Sequence, residues 1–320
     1  KKKRNYFFFL YGGIGDHLIN RNLIINFTSK NEKTIIFLDK KFSFLSYIYK
    51  DSEIVLYEKK KILKLFFDIR KKINEDYLFV SWSSSIESML IFILSKSTNF
   101  LGIMGNFNFI YNNKNFHKNI NKNRYLTNKK IYEYIDYNIF NEKLSLFNNL
   151  EKFNNAGDYI VVHPHKTASW GDVSLPENEW IYLINQIIII TNLQVILVGN
   201  KNEKIKSEKI YNKIKNKKLI TDLTGNTSFH ELCTIVKDSK CIISGDTGIM
   251  HLGYQLKKHV ISIFTFSDPK VYSPPSNSSV LFNKIISCQP CISVPRVGSD
   301  NYPPICLHKY KCSKSIKSNE

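Results

Sequence analysis

The sequence predicts an α/β fold of two Rossmann-like halves facing across a cleft. Three observations predict it. Short apolar runs alternate with helix-like segments along most of the 320 residues. That alternation occurs twice, with the linker-like Asn154-Asn-Ala-Gly157 between the two rounds. The polar and glycine-bearing motifs fall in the loops after apolar runs, where open α/β sheets place their ligands.

In the first round, the strand-like runs are Tyr6 to Tyr11, Thr34 to Leu38, Glu53 to Leu56, Tyr77 to Trp82 and Asn99 to Ile103. Helix-like segments lie between them, at His17 to Phe27, Phe42 to Tyr49, Lys60 to Ile73 and Ile86 to Leu94. Strands alternating with helices of this length argue for βαβ units and a parallel sheet. Asn106 to Asn128, rich in Asn and Lys, reads as a long irregular connection, and Lys129 to Leu150 as a helix.

The second round begins with a strand at Tyr159 to Val162. A helix follows from Pro176 to Ile190, with Glu177 and Glu179 in its first turn. Then come strand Val195 to Val198, helix Glu203 to Ile214, strand Leu219 to Leu223, helix Phe229 to Val236 and strand Cys241 to Ile243. Strand Val260 to Phe264 closes the alternation, and Pro269 to Ser279 reads as loop. The expected domains are residues 1–155, 156–285 and a cysteine-rich segment 286–320.

Lys and Arg number 46 against 27 Asp and Glu, a net charge of +19. Such a balance suits an anionic partner, or it records the Asn-, Lys- and Ile-rich composition of an AT-rich genome. No apolar run reaches the roughly 18 residues of a membrane span. Lys1-Lys-Lys-Arg4 and the apolar run after it lack a small-residue cleavage site and read as a first strand. A cytoplasmic protein is expected, with room for a peripheral seat on a membrane face.

The most informative segment is Ser244-Gly-Asp-Thr-Gly-Ile-Met-His251. It reads as a strand end turning into a helix, with Asp246 as N-cap and Thr247 and Gly248 opening the first turn. Ile249, Leu252, Gly253 and Leu256 share one helical face, and Thr247 and His251 share the opposite one. Free backbone N–H groups beside a hydroxyl and an imidazole make an anion site; a plain capped junction fits the pattern equally. Near the N-terminus, Gly13-Ile-Gly15-Asp16 lets a ligand approach the backbone. It lacks the third glycine of a dinucleotide fingerprint, because Leu18 stands there. Asp16 reads as a helix cap or as a carboxylate base toward a hydroxyl. In the loop after Val162, Lys166, Thr167 and Ser169 are donors suited to a diphosphate, and His163 and His165 read as supporting residues. Gly199 and Glu203 suit a nucleoside, with Glu203 accepting from ribose hydroxyls or serving as a helix-start acid.

Three of these segments together resemble glycosyltransferase family 9, the ADP-heptose:lipopolysaccharide heptosyltransferases. They are Gly13-Ile-Gly15-Asp16, the helix opening Leu175-Pro-Glu-Asn-Glu-Trp180, and Ser244 to His251 with its Asp-Thr-Gly-x-x-His element. Their order and spacing cover residues 6 to 265. The resemblance implies a GT-B fold and an inverting transfer of heptose from ADP-heptose, with no cofactor for catalysis. It makes Asp16 the general base. Asp246, Thr247, Gly248 and His251 become the holder of the donor diphosphate and neighbouring sugar, and Glu203 the ribose acid. The implied acceptor is a lipopolysaccharide core sugar or a protein hydroxyl. Family members often carry a lysine three residues before the helix-opening proline. Val173 stands there, and Lys166 is the lysine that could supply the charge.

Cys288, Cys291, Cys306 and Cys312 crowd the end of the chain. A C-x-x-C pair followed by two further cysteines suits a structural Zn or Fe knuckle, or four free thiols. The segment is similar to the cysteine-ligated iron finger of bacterial autotransporter heptosyltransferases. Two other classes compete. A non-catalytic nucleic-acid-binding protein would use the basic, aromatic stretch Asn106 to Arg124, but no recognised binding motif is present. A nucleotide-dependent oxidoreductase is disfavoured by the missing glycine. Heptosyl transfer is the expected activity, and no nucleic-acid partner is expected.

Overall fold

The computed structural model describes residues 5–10, 12–28, 33–49, 51–58, 62–73, 77–81, 90–93, 99–102, 123–134, 150–154, 157–168, 171–282, 284–291, 306 and 308–317. The chain divides into two compact units, Lys1–Ser145 with Val294–Asn301 and Leu146–Ser293 with Tyr302–Glu320.

The first unit is a parallel sheet of β1 (Asn5–Phe9), β2 (Thr34–Asp39), β3 (Glu53–Tyr57), β4 (Tyr77–Ser81) and β5 (Asn99–Gly102), in the order β3-β2-β1-β4-β5. β1 is central because it is apolar on both faces. Phe7 and Phe9 pack with Leu65 and Ile69 of α2 (Ile62–Lys72) on one face. On the other, Tyr6 stacks on Phe27 of α1 (Ile14–Thr28) at 4.1 Å, and Phe27 meets Tyr132 of α3 (Arg124–Tyr134) at 5.3 Å. α1 is thus covered on two sides, which explains why its sequence shows so little amphipathic contrast.

Two expectations are corrected here. The stretch read as irregular to Asn128 already contains the start of α3. Asn123 Oδ1 accepts from Tyr125 and Leu126 N–H at 3.1 and 3.3 Å, a side-chain cap hidden in an Asn-rich run. Phe42 to Tyr49 lies in a kinked 3-10 turn, Lys40–Tyr49, rather than an α-helix. Most of the helix read at Ile86 to Leu94 lies outside the described residues, as does the continuation of the helix read to Leu150; residues 90–93 are helical.

The second unit is a parallel sheet ordered β10-β9-β6-β11-β12-β13. Its strands are β6 (Tyr159–His163), β9 (Gln194–Leu197), β10 (Ile220–Asp222), β11 (Cys241–Gly245), β12 (His259–Phe264) and β13 (Ser278–Phe282). The chain winds outward from β6 through β9 and β10, then returns to β6's other side with β11. The strand order therefore reverses between β6 and β11, the place where such sheets bind ligands. A two-stranded hairpin, β7 (Thr167–Ala168) with β8 (Gly171–Asp172), leaves the end of β6. Helices α4 (Glu177–Thr191), α5 (Lys204–Lys213), α6 (Phe229–Asp238) and α7 (Gly248–Gln255) complete the crossovers. Trp180, Ile184 and Ile188 of α4 fill the core against Ile160, Val162, Val195 and Leu197. The segment read as loop from Pro269 to Ser279 holds a short helix, α8 (Pro269–Tyr272), and the start of β13. β13 is an edge strand with Leu281 56% exposed, so it lacks the apolar signature that marked the central strands. Among the described residues no helix is long and apolar enough to cross a membrane.

α7 lies close to the sheet because Gly253 has no side chain. A Cβ there would stand 2.8 Å from Ile242 Cδ1 and 2.9 Å from Val260 Cγ2. Gly253→Ala should therefore push α7 off β11 and β12 and cost about 1–3 kcal/mol by overpacking. Urea unfolding measures that cost, and wild-type stability would contradict the close packing.

Candidate active site

The strand-order reversal gathers a buried polar network. Lys166, three residues beyond β6, reaches Asp246, the residue after β11. Its ammonium lies 3.2 Å from Asp246 Oδ2 and 3.5 Å from Ser267 Oγ. Ser267 also donates to Asp246 Oδ2 at 2.6 Å. His251 Nε2 stands 3.7 Å from Asp246 Oδ1. The ring of Phe266 lies under the Lys166 ammonium at 4.2 Å from its centroid. Burial opposes ionisation of Asp246, but Lys166 and His251 outweigh it and hold the carboxyl below the usual range.

This geometry corrects the reading of Asp246 as N-cap. Thr247 occupies the cap position of α7, and no side chain caps the helix. Asp246 is unavailable for capping because Lys166, Ser267 and His251 surround its carboxylate. The first amides of α7, from Gly248 on, thus form an N-terminus without a side-chain acceptor. His251 is 4% exposed, so it faces the network rather than solvent.

A second chain of contacts joins Thr247 to Glu203. His163 Nδ1 lies 3.1 Å from Thr247 Oγ1, and its Nε2 lies 3.3 Å from Glu203 Oε2. An ionised carboxylate only accepts, so a neutral His163 carries its proton on Nε2 and Thr247 donates to Nδ1. Glu203 Oε2 also accepts from Asn200 N–H at 2.8 Å, one half of a capping box with Asn200. The helix-start reading of Glu203 therefore holds in geometry. Burial works against its ionisation, yet His163 and the Asn200 amide keep its pKa below the ordinary value. The Gly199 carbonyl accepts from Gly225 N–H at 3.0 Å. His165 is buried, with Nε2 unpartnered among the described residues, and burial lowers its pKa to about 4.

Lys166 and Val173 close the two ends of the β7–β8 hairpin. Val173 N–H donates to the Lys166 carbonyl at 2.9 Å. The hairpin thus brings Lys166 beside Val173. Thr167 belongs to β7 by its backbone, and Ser169 lies outside the described residues.

In the first unit, Asp16 sits in the first turn of α1. Its Oδ2 accepts from Gly13 N–H at 2.8 Å, and Arg124 of α3 donates to its Oδ1. Gly12 has φ +114°, and a Cβ there would fall 2.2 Å from Asp16 Oδ2. Only glycine therefore lets the turn close over this carboxylate. Gly15 lies within the opening turn of α1. The Arg124 side chain is 2% exposed and that of Asp16 is 23% exposed, so the carboxylate is held from behind and open in front. Sequence reasoning missed Arg124, Phe266 and Ser267 and cast His163 only in support. Arg124 carried one signal: it is one of five arginines in a lysine-rich chain, and a forked guanidinium suits fixed carboxylate pairing.

The four C-terminal cysteines are all free thiols. Burial and the Cys288, Cys312 and Cys306 thiols push Cys291 up to about 12. Among the described residues, however, no three His, Cys, Asp or Glu side chains are arranged as metal ligands.

The profile of glycosyltransferase family 9 (heptosyltransferase) matches residues 95–298. A comparison with curated protein sequences finds no match. Solved structures are similar in fold. ADP-heptose LPS heptosyltransferase II of E. coli is 14% identical with a TM-score of 0.68, covering 88% of this chain and 91% of its own. E. coli heptosyltransferase WaaC with ADP-2-deoxy-2-fluoro heptose is 14% identical with a TM-score of 0.70, covering 90% and 96%. The iron-containing dodecameric glycosyltransferase TibC of enterotoxigenic E. coli is 12% identical with a TM-score of 0.61, covering 100% and 74%.

Removing one member of the Lys166–Asp246 pair leaves a buried uncompensated charge. Asp246→Asn should lower stability by about 3–5 kcal/mol, whereas Lys166→Met with Asp246→Leu should recover most of it. Equal stability of all three proteins in urea melts would contradict the pair. His165 gives a pH signature. With a folded pKa near 4 against 6.5 unfolded, the unfolded chain binds the extra proton between those values. Stability should therefore rise with pH across that window. His165→Gln should flatten the slope by about 1.4 kcal/mol per pH unit, measured by unfolding at stepped pH.

Proposed function

The chain belongs to glycosyltransferase family 9, and from that premise we propose that it transfers heptose from ADP-heptose to an acceptor hydroxyl with inversion. It is a glycosyltransferase of the α/β class with two parallel sheets. The observation that carries the donor reading is the convergence of Lys166, Thr247, Glu203 and an uncapped α7 on the strand-order reversal of the second unit.

In this reading the donor diphosphate meets the first amides of α7 and the Lys166 ammonium. Lys166 has three N–H donors, of which Asp246 and Ser267 take two, leaving one for a phosphate oxygen. Charge builds on the phosphates as ADP departs, and fixed donors at that point lower the barrier without reorganising. Thr247 can turn its hydroxyl toward the phosphate only by leaving His163 Nδ1. The remaining oxygen of Glu203 accepts from the ribose. Asp246 and His251 hold Lys166 and contribute to the neighbouring sugar. Solved neighbours with ADP and with ADP-2-deoxy-2-fluoro heptose bound support ADP as the nucleotide.

Asp16 is the general base. Arg124 and the Gly13 amide fix its carboxylate, which removes the acceptor's proton as the hydroxyl attacks the anomeric carbon from the side opposite ADP. One displacement inverts the configuration and leaves the proton on Asp16. The acceptor is a lipopolysaccharide core sugar or a protein hydroxyl. The +19 charge supports an acidic lipid acceptor and a cytoplasmic seat at the inner membrane face.

The four cysteines hold a structural Zn or Fe in this reading. The support is the C-x-x-C spacing, with two further cysteines within the same short segment. Four thiolates leave no open position for catalysis. Metal analysis of the purified protein should find about one thiophilic ion per chain, and Cys288→Ser should lose it. A metal-free native protein would overturn this assignment.

The test of transfer is ADP release from ADP-heptose with heptose-free lipopolysaccharide as acceptor. Asp16→Asn retains the turn's hydrogen bond while removing the base. It should lower kcat by about 100-fold or more with little change in ADP affinity. Transfer at wild-type rate in that variant would place the base elsewhere.

A further inference from the structure

The cysteine-rich segment touches the donor site through a route separate from any metal. The loop after β12, Thr265-Phe266-Ser267, lies between the two. On one side Ser267 and the Phe266 ring contact the Lys166–Asp246 pair. On the other, the same loop is held by its backbone. Cys291 N–H donates to the Phe266 carbonyl at 2.7 Å, and the Gln289 side-chain amide donates to the Thr265 carbonyl. Gln289 is 2% exposed, and its Oε1 accepts from Ile285 and Ile286 N–H at 2.7 and 3.0 Å. It therefore ties the loop to the chain leaving β13 with every side-chain oxygen and nitrogen engaged.

We propose that Phe266 is the positioning residue for Lys166, and that Gln289 and the Cys291 amide set Phe266. The ring is itself buried, at 6% exposure, so its face is a fixed surface rather than a mobile contact. An ammonium over an aromatic face is attracted by the ring quadrupole while keeping its N–H donors for other partners. That property is what this site needs. Asp246 alone would draw Lys166 toward itself, and the ring face 4.2 Å from the ammonium gives it a second anchor that takes up no N–H donor. The polypeptide from Ile285 to Cys291 thereby acts on donor binding at a distance, without contacting the donor. This inference rests on the donor role assigned to Lys166 above.

The test uses Phe266→Leu, Phe266→Tyr and Gln289→Leu in the full chain, each checked for retained fold by circular dichroism. The first readout is acylation of the Lys166 amine, followed by peptide mass spectrometry. The second is the dissociation constant for ADP by calorimetry. Phe266→Leu should change Lys166 labelling and weaken ADP by about five-fold or more, and Phe266→Tyr, which keeps the ring face, should restore both. Gln289→Leu should shift both in the same sense as Phe266→Leu. Unchanged labelling in a folded Phe266→Leu protein would overturn the proposal, as would failure of Phe266→Tyr to restore it. Changed labelling with unchanged ADP affinity would support the positioning and count against Lys166 as a donor contact, so the two readings fail separately. If Gln289→Leu does not fold, the Phe266 pair still decides the matter.

Discussion

A buried cation at the end of a central strand constrains everything around it. Lys166 leaves water where β6 stops, and a buried ammonium must be paired and hydrogen-bonded. Asp246, supplied by the neighbouring β11, meets that demand. The pairing then dictates the local architecture. It withdraws Asp246 from the helix cap, which leaves the amides of α7 uncapped. It recruits Ser267 and Phe266 from the loop after β12. The strand-order reversal makes this possible, since only there do β6 and β11 end side by side. A structural necessity and a donor-binding arrangement thus share the same atoms.

The central strands were legible in the sequence, and so were the edge strands β3, β5 and β10; the edge strand β13 and the start of α3 were not. Strands such as Phe7-Phe8-Phe9 and Ile242-Ile243 are buried on both faces, so their composition alone marks them. β13 is half-solvated at the sheet edge and lacks that mark. α3 was hidden because its cap is an asparagine among many asparagines. The candidate site was legible to the extent that its residues sit in short loops after strands. Its partners were not legible, because they are set by packing across long sequence separations. Arg124 meets Asp16 over 108 positions, and Ser267 meets Lys166 over 101. The reading of Asp246 as a cap failed for the same reason, since a cap is a local preference of about 1 kcal/mol and a buried ion pair outweighs it.

Asp16 and Asp246 are both anchored carboxylates, and their anchors differ in kind. Asp16 is held by a guanidinium and a backbone amide, with its open side toward solvent. That suits a group that must gain and lose a proton. Asp246 is enclosed by Lys166, Ser267 and His251, and these partners keep it ionised against the cost of burial. That suits a group whose charge must stay constant while it holds a cation. Identical side chains are given different chemistry by their surroundings.

The central claim is that the Lys166–Asp246 site receives the diphosphate of an ADP-linked sugar. Calorimetric titration of ADP into the wild-type chain and into the stable double variant Lys166→Met with Asp246→Leu tests it most directly. The account predicts saturable binding to the wild type and a loss of about ten-fold or more in the double variant, the scale of one charge-assisted contact. Equal ADP affinity in the two proteins would contradict it.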